Sequence, residues 1–305
     1  MKAEAIAALA LRPGAVVADG TIGGGGHAEA ILAATSPTGW LYGCDCDGAA
    51  VEAAGRRLEK FSGRFEIRRG NFAGLAEWVP EASCDAVLIE LGVSSPQLDE
   101  GKRGFSFLRD GPLDMRMDQR RELTAADLVN QKSAQELAGI FWKYGGERDS
   151  RKIARAICEA REGGAVTTTR QLAEIIEKAS PRYGRKSHPA TKVFQALRLV
   201  VNDEIGSLEK GLAAALKILK PGGRLAVISF HSLEDRVVKQ FGRERARDYS
   251  APGGIDVPEL RQPKTPELKL VSRKAIPPDD EEQRKNPRSR SAQLRIMEKV
   301  GATAE

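Results

Sequence analysis

The sequence predicts a doubly wound α/β fold with an all-helical domain inserted into it. Three observations carry this expectation. Strand and helix signals alternate through the first hundred residues, and the apolar strand runs are continuous, as suits parallel strands covered on both faces. The fifth strand signal comes more than a hundred residues after the fourth, and helical spacing occupies much of that interval, which is too long for one crossover.

Taken in order, Ala15-Val16-Val17-Ala18-Asp19 is a short apolar run ending in an acid, followed by a glycine-rich turn from Gly20 to Gly26. His27 to Ala34 reads as a helix with Ala30, Ile31 and Ala34 on one face. A second strand (Leu41 to Asp45), a second helix (Ala49 to Leu58), a third strand (Phe65 to Arg68) and an apolar fourth (Ala86 to Ile89) complete the first half. From Leu123 to Arg161 and from Thr169 to Ala179 the spacing is helical, as at Leu137, Ile140, Phe141 and Tyr144. Ile205, Leu208, Leu212, Leu216 and Leu219 mark a further helix, stopped by Lys220-Pro221-Gly222-Gly223 ahead of a strand from Arg224 to Phe230. Residues 245–290 are rich in proline and charge, which predicts a poorly packed or conditionally ordered segment. Ala292 to Ile296 alternates like a final edge strand. The expected domains are 1–108 with 199–305 for the sheet, and 109–198 for the helical insert.

With 41% hydrophobic and 30% charged residues the chain can bury a core. No apolar run approaches a membrane span, and Glu4 interrupts any secretory signal, so the expected compartment is the cytoplasm. Cys44, Cys46, Cys84 and Cys158 have neither disulfide-framework nor zinc spacing. Cys44 and Cys46 read as small apolar residues at a strand end, and no metal is expected. The formal charge of +6 points weakly to a polyanionic partner.

Asp19 to His27 sits between strand and helix, where glycines let the backbone approach a ligand and a helix N-terminus offers free N–H groups. Gly23, Gly25 and Ala28 match G-x-G-x-x-A loosely, so a nicotinamide cofactor stays open at this point. Asp45 stands where an acid grips ribose hydroxyls. Phe72 reads equally as an adenine-facing or a core aromatic, and Glu90 closes the fourth strand.

Leu219-Lys220-Pro221-Gly222-Gly223-Arg224-Leu225 is similar to the matching segment of class I (Rossmann-like) methyltransferases. Longer stretches resemble one family, the bacterial 16S ribosomal RNA cytosine-N4 methyltransferases. They are Asp19-Gly20-Thr21 with Gly25-Gly26-His27, Leu91 to Asp99, Arg103 to Phe107 with Arg109 to Asp118, His188 to Thr191 with Phe194-Gln195-Ala196, Ile228 to Arg236, and Asn286-Pro287-Arg288 with Arg290-Ser291. The match runs in order through nearly the whole chain. It implies S-adenosylmethionine as methyl donor and methylation of a cytosine N4 in the decoding region of 16S rRNA, within the small ribosomal subunit. It also implies cofactor contacts at Gly25, Gly26, His27, Asp45, Phe72, Glu90 and Gln97. A homodimer is compatible with the sequence. The chain departs from the family at Glu90, where Asp is usual, at Ile22-Gly23-Gly24, where Phe and Arg are usual, and in lacking an N-terminal His-x-Pro-Val segment.

The Asn/Asp-Pro-Pro-aromatic loop of DNA amino-methyltransferases is absent after the fourth strand, where Glu90 to Pro96 stand instead; cytosine N4 therefore rests on the resemblance. Ser94, Ser95, Asp114 and His231 are candidates for orienting the amine, with none preferred. His27 reads as a helix-start residue rather than a base, His188 equally as a turn residue or an RNA contact, and His231 equally as a satisfied histidine or a substrate contact. Basic clusters at Arg148-Arg151-Lys152-Arg155, Arg182-Arg185-Lys186 and Arg284-Lys285-Arg288-Arg290 are solvated faces by default. The first has the spacing to track phosphates, and the insert and the late basic segment are expected to clamp RNA over the methyl donor. The competing readings are a noncatalytic rRNA-binding or assembly factor on the same fold and a nicotinamide-dependent oxidoreductase.

Overall fold

The computed structural model describes residues 1–181, 184, 188–251 and 256–301. The basic cluster Arg182-Arg185-Lys186 and Pro252 lie outside the described residues. The first elements are α1 (Lys2–Ala8), β1 (Val16–Asp19), α2 (Gly26–Ala34), β2 (Trp40–Asp45), α3 (Gly48–Leu58), β3 (Phe65–Arg69) and β4 (Cys84–Glu90). Helices α4 (Ser95–Asp99), α5 (Ala125–Gln131), α6 (Ala134–Gly145), α7 (Ser150–Glu162), α8 (Thr169–Ala179), α9 (Ala190–Val201) and α10 (Glu204–Ile218) follow. The chain then forms β5 (Leu219–Ser229), α11 (Ser232–Arg245), β6 (Tyr249–Ser250), β7 (Gln262–Pro263), β8 (Leu268–Leu270), α12 (Asp280–Lys285) and β9 (Gln293–Lys299). Two compact units result, Met1–Gly92 with Ile205–Glu305, and Val93–Glu204.

In the first unit seven strands lie in the order β3-β2-β1-β4-β5-β9-β8. The first five are parallel, and β9 and β8 run antiparallel to their neighbours. Successive strand residues face opposite sides. Val17, Leu41, Leu88 and Ile228 pack with Ile31, Leu32, Ala54 and Leu58 of α2 and α3. Ala18, Val87, Ile89 and Val227 pack with Leu208, Leu212 and Val238 of α10 and α11. Burying each large aliphatic side chain contributes about 1.5–3 kcal/mol, so the continuous strand runs are what hold helices on both faces.

Four expectations are corrected. The buried face of α2 is Ala28, Ile31, Leu32 and Thr35, the true i, i+3, i+4, i+7 series, and Ala34 is exposed. Lys220 to Gly223 does not separate helix from strand. Leu219 already pairs with Cys84 and Arg224 with Ala86, so the four residues bulge out within β5. Asp85, opposite the bulge, receives Lys220 Nζ at 2.9 Å and the Val16 N–H at 2.9 Å. The last strand is no edge, because β8 pairs along its outer side. The proline-rich segment supplies that cover: Leu268 is fully buried, Ile276 bridges Leu294, and Glu282 of α12 meets the Met1 amino group at 2.7 Å.

The second unit is helical. Its helices α5, α6 and α8 each open on a capping box, Thr124/Asp127, Ser133/Glu136 and Thr168/Gln171, which satisfies N–H groups the helix leaves open. The unit starts at Val93, earlier than the expected 109, because Phe105 is buried in the helical core and Val93, Leu98 and Phe107 pack against it. Within it the Asp114-Met115-Arg116-Met117 motif is a structural knot. The side chain of Asn202 donates to Met115 O (2.8 Å) and Arg198 O (2.9 Å) and accepts from Met117 N (2.8 Å). The buried Arg103 reaches Arg116 O and Met117 O at 3.0 and 3.1 Å. Among the described residues no helix is long and apolar enough to cross a membrane.

Candidate cofactor site

The chain runs from β1 to β2 and β3 on one side, then returns to place β4 and β5 on the other. The crevice at the carboxyl ends of β1 and β4 is thus a topological switch point, where open α/β sheets hold their ligands. Asp19, Asp45 and Glu90 are the last residues of β1, β2 and β4, so three acids gather at one rim.

Residues 20–25 stitch the strand ends together. Thr21 accepts the Glu90 N–H on its hydroxyl at 2.7 Å. Gly23 N–H donates to Asp45 Oδ2 at 3.0 Å, and Asp47 N–H to Asp45 Oδ1 at 2.9 Å. The Cys46 N–H is a third backbone donor to Asp45, and the carboxylate keeps capacity for one more. Gly25 is the N-cap of α2 with φ +79°, a left-handed conformation open to glycine, and Gly26 is the first helical residue. Together they leave N–H groups of the first turn pointing outward, because no side chain caps α2.

His27, one residue into α2, turns Nδ1 to Glu90 Oε2 at 3.3 Å. Burial alone would lower its pKa, but Glu90 and Asp19 outweigh burial and hold it above the ordinary histidine value. Asp19 is 1% exposed. Burial pushes its carboxyl up to about 6, against the opposing pull of His27 and the Thr21 N–H. Burial likewise raises Asp45, against the Asp47 and Gly23 N–H groups. Two buried polar atoms, Asp19 Oδ2 and His27 Nε2, have no hydrogen-bond partner among the described residues. Such atoms are costly to leave dry, and they mark the floor of the crevice as a polar ligand site.

Phe72 opens a short 3-10 turn after β3, held by Asn71, which accepts the Ala73 N–H at 2.8 Å and donates to Ser207 Oγ at 3.0 Å. Its ring rests on α10 where Gly211 leaves room: a Cβ there would stand 2.1 Å from Phe72 Cδ2. Half-buried, Phe72 is part of the core on one side and available on the other. The sequence alone left these two readings level.

Gln97 lies in the Val93–Glu204 unit, buried in α4, where its Oε1 accepts the Ser94 N–H at 3.0 Å in a capping box. Ser94 is therefore a capping residue, and Ser95 is the exposed first residue of α4. Asp114 is engaged by Arg116, with Nε to Oδ1 at 2.9 Å and Nη2 to Oδ2 at 2.7 Å, and this partner holds its pKa low against burial. His188 accepts the Ala190 N–H on Nδ1 at 3.1 Å and stacks on Phe107 with ring centroids 4.7 Å apart. His231 caps α11, and its Nε2 lies 2.8 Å from Glu234 Oε1. That short approach lacks hydrogen-bond alignment. Glu234, 2% exposed, also takes the Phe230 N–H at 2.9 Å and so fixes the turn after β5.

Sequence reasoning passed over Asp19 as a site residue. The available signal was an acid ending a fully apolar strand beside the glycine turn. Glu90 fits its place with the longer side chain: an Asp would withdraw by one methylene from His27. We expect Glu90→Asp to lower the His27 pKa, read by NMR titration, and to change cofactor affinity by less than about tenfold, since the carboxylate is displaced but not removed. An unmoved His27 titration would show that Glu90 does not charge it.

The family model described as the MraW methylase family matches residues 1–300. A ribosomal RNA small subunit methyltransferase H of Syntrophotalea carbinolica is 49% identical, covering 98% of this chain and 96% of its own. The protein of the same name from Symbiobacterium thermophilum is 48% identical, covering 99% and 96%. Among solved structures, an rRNA methylase from Streptococcus thermophilus aligns over 98% of this chain and 93% of its own, at 13% identity and a TM-score of 0.42. With a family model spanning residues 1–300 and near-half identity sustained over whole relatives, the chain belongs to the MraW methylase family.

Proposed function

We propose that this protein transfers a methyl group from S-adenosylmethionine to N4 of a cytosine in the decoding region of 16S ribosomal RNA, in the cytoplasm. The observation that carries the cofactor is the acidic rim. Asp19, Asp45 and Glu90 converge at the switch point, and the buried Asp19 Oδ2 awaits a donor. S-adenosylmethionine carries a sulfonium and an ammonium cation, which such a rim favours. The pyrophosphate of a nicotinamide dinucleotide would face the Asp19 and Glu90 carboxylates in the same place, which disfavours the oxidoreductase reading; Asp45 would hold a ribose in either case. The RNA target rests on family membership and on what the relatives are called.

In this reading Asp45 accepts from the ribose hydroxyls, and Phe72 lies against the adenine with its free face. The N–H groups at Gly25 and Gly26 meet the methionine carboxylate, while Glu90 and Asp19 hold the ammonium. Gln97 is a cofactor contact only by the family resemblance; its Oε1 is engaged in the cap of α4. His27 sits between Glu90 and Asp19 with a raised pKa, so it donates and orients rather than abstracts a proton. Bound S-adenosylmethionine supplies an electrophilic methyl group. The lone pair of cytosine N4 is delocalised into the ring, so rate enhancement depends on holding that amine in line. Positioning of this kind is worth up to about 7–11 kcal/mol.

The test is incubation of purified protein with labelled S-adenosylmethionine and undermethylated small ribosomal subunits, followed by digestion of the RNA to nucleosides. Label in N4-methylcytidine is expected. Cofactor binding without label in RNA would overturn the catalytic reading and leave a noncatalytic RNA-binding factor.

A further inference from the structure

The exposed end of the α6–α7 hairpin carries cations with no structural use. Helix α6 ends at Gly145, and α7 begins at Ser150. Trp142 in the last turn of α6 is 62% exposed, and Lys143 beside it is exposed too. Arg148, in the connection, and Arg151, Lys152 and Arg155 of α7 are all exposed. The buried side of α7 is formed by Ile153, Ala154 and Ile157 instead. None of the four cations has a carboxylate partner among the described residues, and the hydrogen bond from Arg155 goes to the Arg151 carbonyl of its own helix.

This placement opposes helix stability. A helix favours acids in its first turn and bases in its last. Apart from its N-cap Asp149, the start of α7 holds no acid; Arg151 and Lys152 stand in the first turn, while Glu159 and Glu162 flank Arg161 toward the far end. Like charges three and four residues apart add repulsion. A polyanion bound across the four cations would remove both penalties, and an exposed tryptophan at the same end of the hairpin offers a flat face to an unstacked base.

The structure assigns this end of the hairpin as an RNA-docking surface: Arg148, Arg151, Lys152 and Arg155 neutralise consecutive phosphates, and Trp142 stacks on an unpaired base. Single-stranded or loop RNA fits this pairing, because only unstacked bases present a face to an aromatic side chain. The assignment rests on the reading of the protein as an RNA methyltransferase and names the surface through which it holds its substrate.

The experiment compares wild-type protein with a variant carrying Arg148→Gln, Arg151→Gln, Lys152→Gln and Arg155→Gln, and with Trp142→Ala alone. Binding to naked small-subunit RNA is measured against salt, with cofactor affinity and Tm in parallel. The four-fold variant should bind RNA more weakly and lower the slope of log Kd against log salt by about 3, at roughly 0.7–0.9 per phosphate contact. Its cofactor affinity should be unchanged and its Tm equal or higher, the reverse of a structural role. Trp142→Ala should weaken binding about tenfold with the slope unchanged, since stacking releases no counterions. Unchanged affinity and slope in the four-fold variant, with a wild type that binds and methylates RNA, overturns this surface alone. A wild type that binds no RNA overturns the functional reading as well. Weakening seen only with assembled subunits, and not with naked RNA, would give the face to a ribosomal protein and overturn the proposal.

Discussion

Replacing Asp19 with Asn should make the ligand-free protein more stable at neutral pH while disabling cofactor binding. Asp19 is buried with its pKa raised to about 6 from 3.8. The folded state therefore binds this proton more tightly than the unfolded chain does. The advantage that protonated Asp19 gives to folding is complete below pH 4 and is lost as the pH rises through 6. Above pH 6 the buried charge costs up to about 3 kcal/mol, from a shift of about two units at about 1.4 kcal/mol each. Asn keeps the shape and can still accept the Thr21 N–H now held by Oδ1 at 3.1 Å, without carrying charge. Denaturant melts of the two proteins should coincide near pH 3.5 and separate by up to about 3 kcal/mol at pH 8, with the variant the more stable.

The same change removes the carboxylate facing the ligand ammonium, so affinity for S-adenosylmethionine should fall by about 10- to 100-fold, as expected for a hydrogen bond to a charged group. His27 should titrate lower in the variant, because Asp19 helps to raise its pKa. A variant that is no more stable than wild type at pH 8, or one that binds the cofactor equally well, sinks the role assigned to this acid. A gain in stability paired with loss of function would mark the buried charge as strain held for binding.

Gly25→Val should be the most damaging single substitution in the glycine turn. Gly25 holds φ +79°, where a β-branched residue is an outlier. A Cβ there would also stand 3.2 Å from Ala54 Cα, a backbone atom of α3 that cannot swing aside. Local strain of about 1–3 kcal/mol can be relieved only by turning the first N–H groups of α2 away from the crevice. The expected loss of cofactor affinity is on the order of 100-fold, measured by calorimetry, with a Tm lower by several degrees. Gly55→Ala is the matched control: it lies within α3, a Cβ there meets nothing within 4 Å, and it should stabilise by about 0.5–1 kcal/mol. Equal cofactor affinity in Gly25→Val and wild type would remove the turn from the binding site.

Much of the first unit was legible because its signals are local. Continuous apolar runs gave β1, β2 and β4, and the glycine turn announced a close backbone approach at Gly25. The helices of the second unit announced themselves by apolar spacing, as at Leu137 and Phe141. Other features were not legible because they depend on what arrives from far along the chain. Asp19 looks like any strand-end acid until burial and His27 surround it. Gly211 is a weak helix residue until the Phe72 ring fills its empty side. Asp114 was a candidate for orienting substrate until Arg116 engaged both its oxygens.

By itself the sequence determined the sheet-and-insert architecture and, through ordered family motifs, the family, because hydrophobic period and motif order are properties of neighbouring residues. Only the tertiary structure decided which polar groups are satisfied and which are left waiting. Asp19 Oδ2 and His27 Nε2 remain without partners among the described residues, while Ser94 is spent on a cap and Asp114 on an ion pair. Satisfaction and desolvation are set by distance and burial in three dimensions, and no local pattern encodes them.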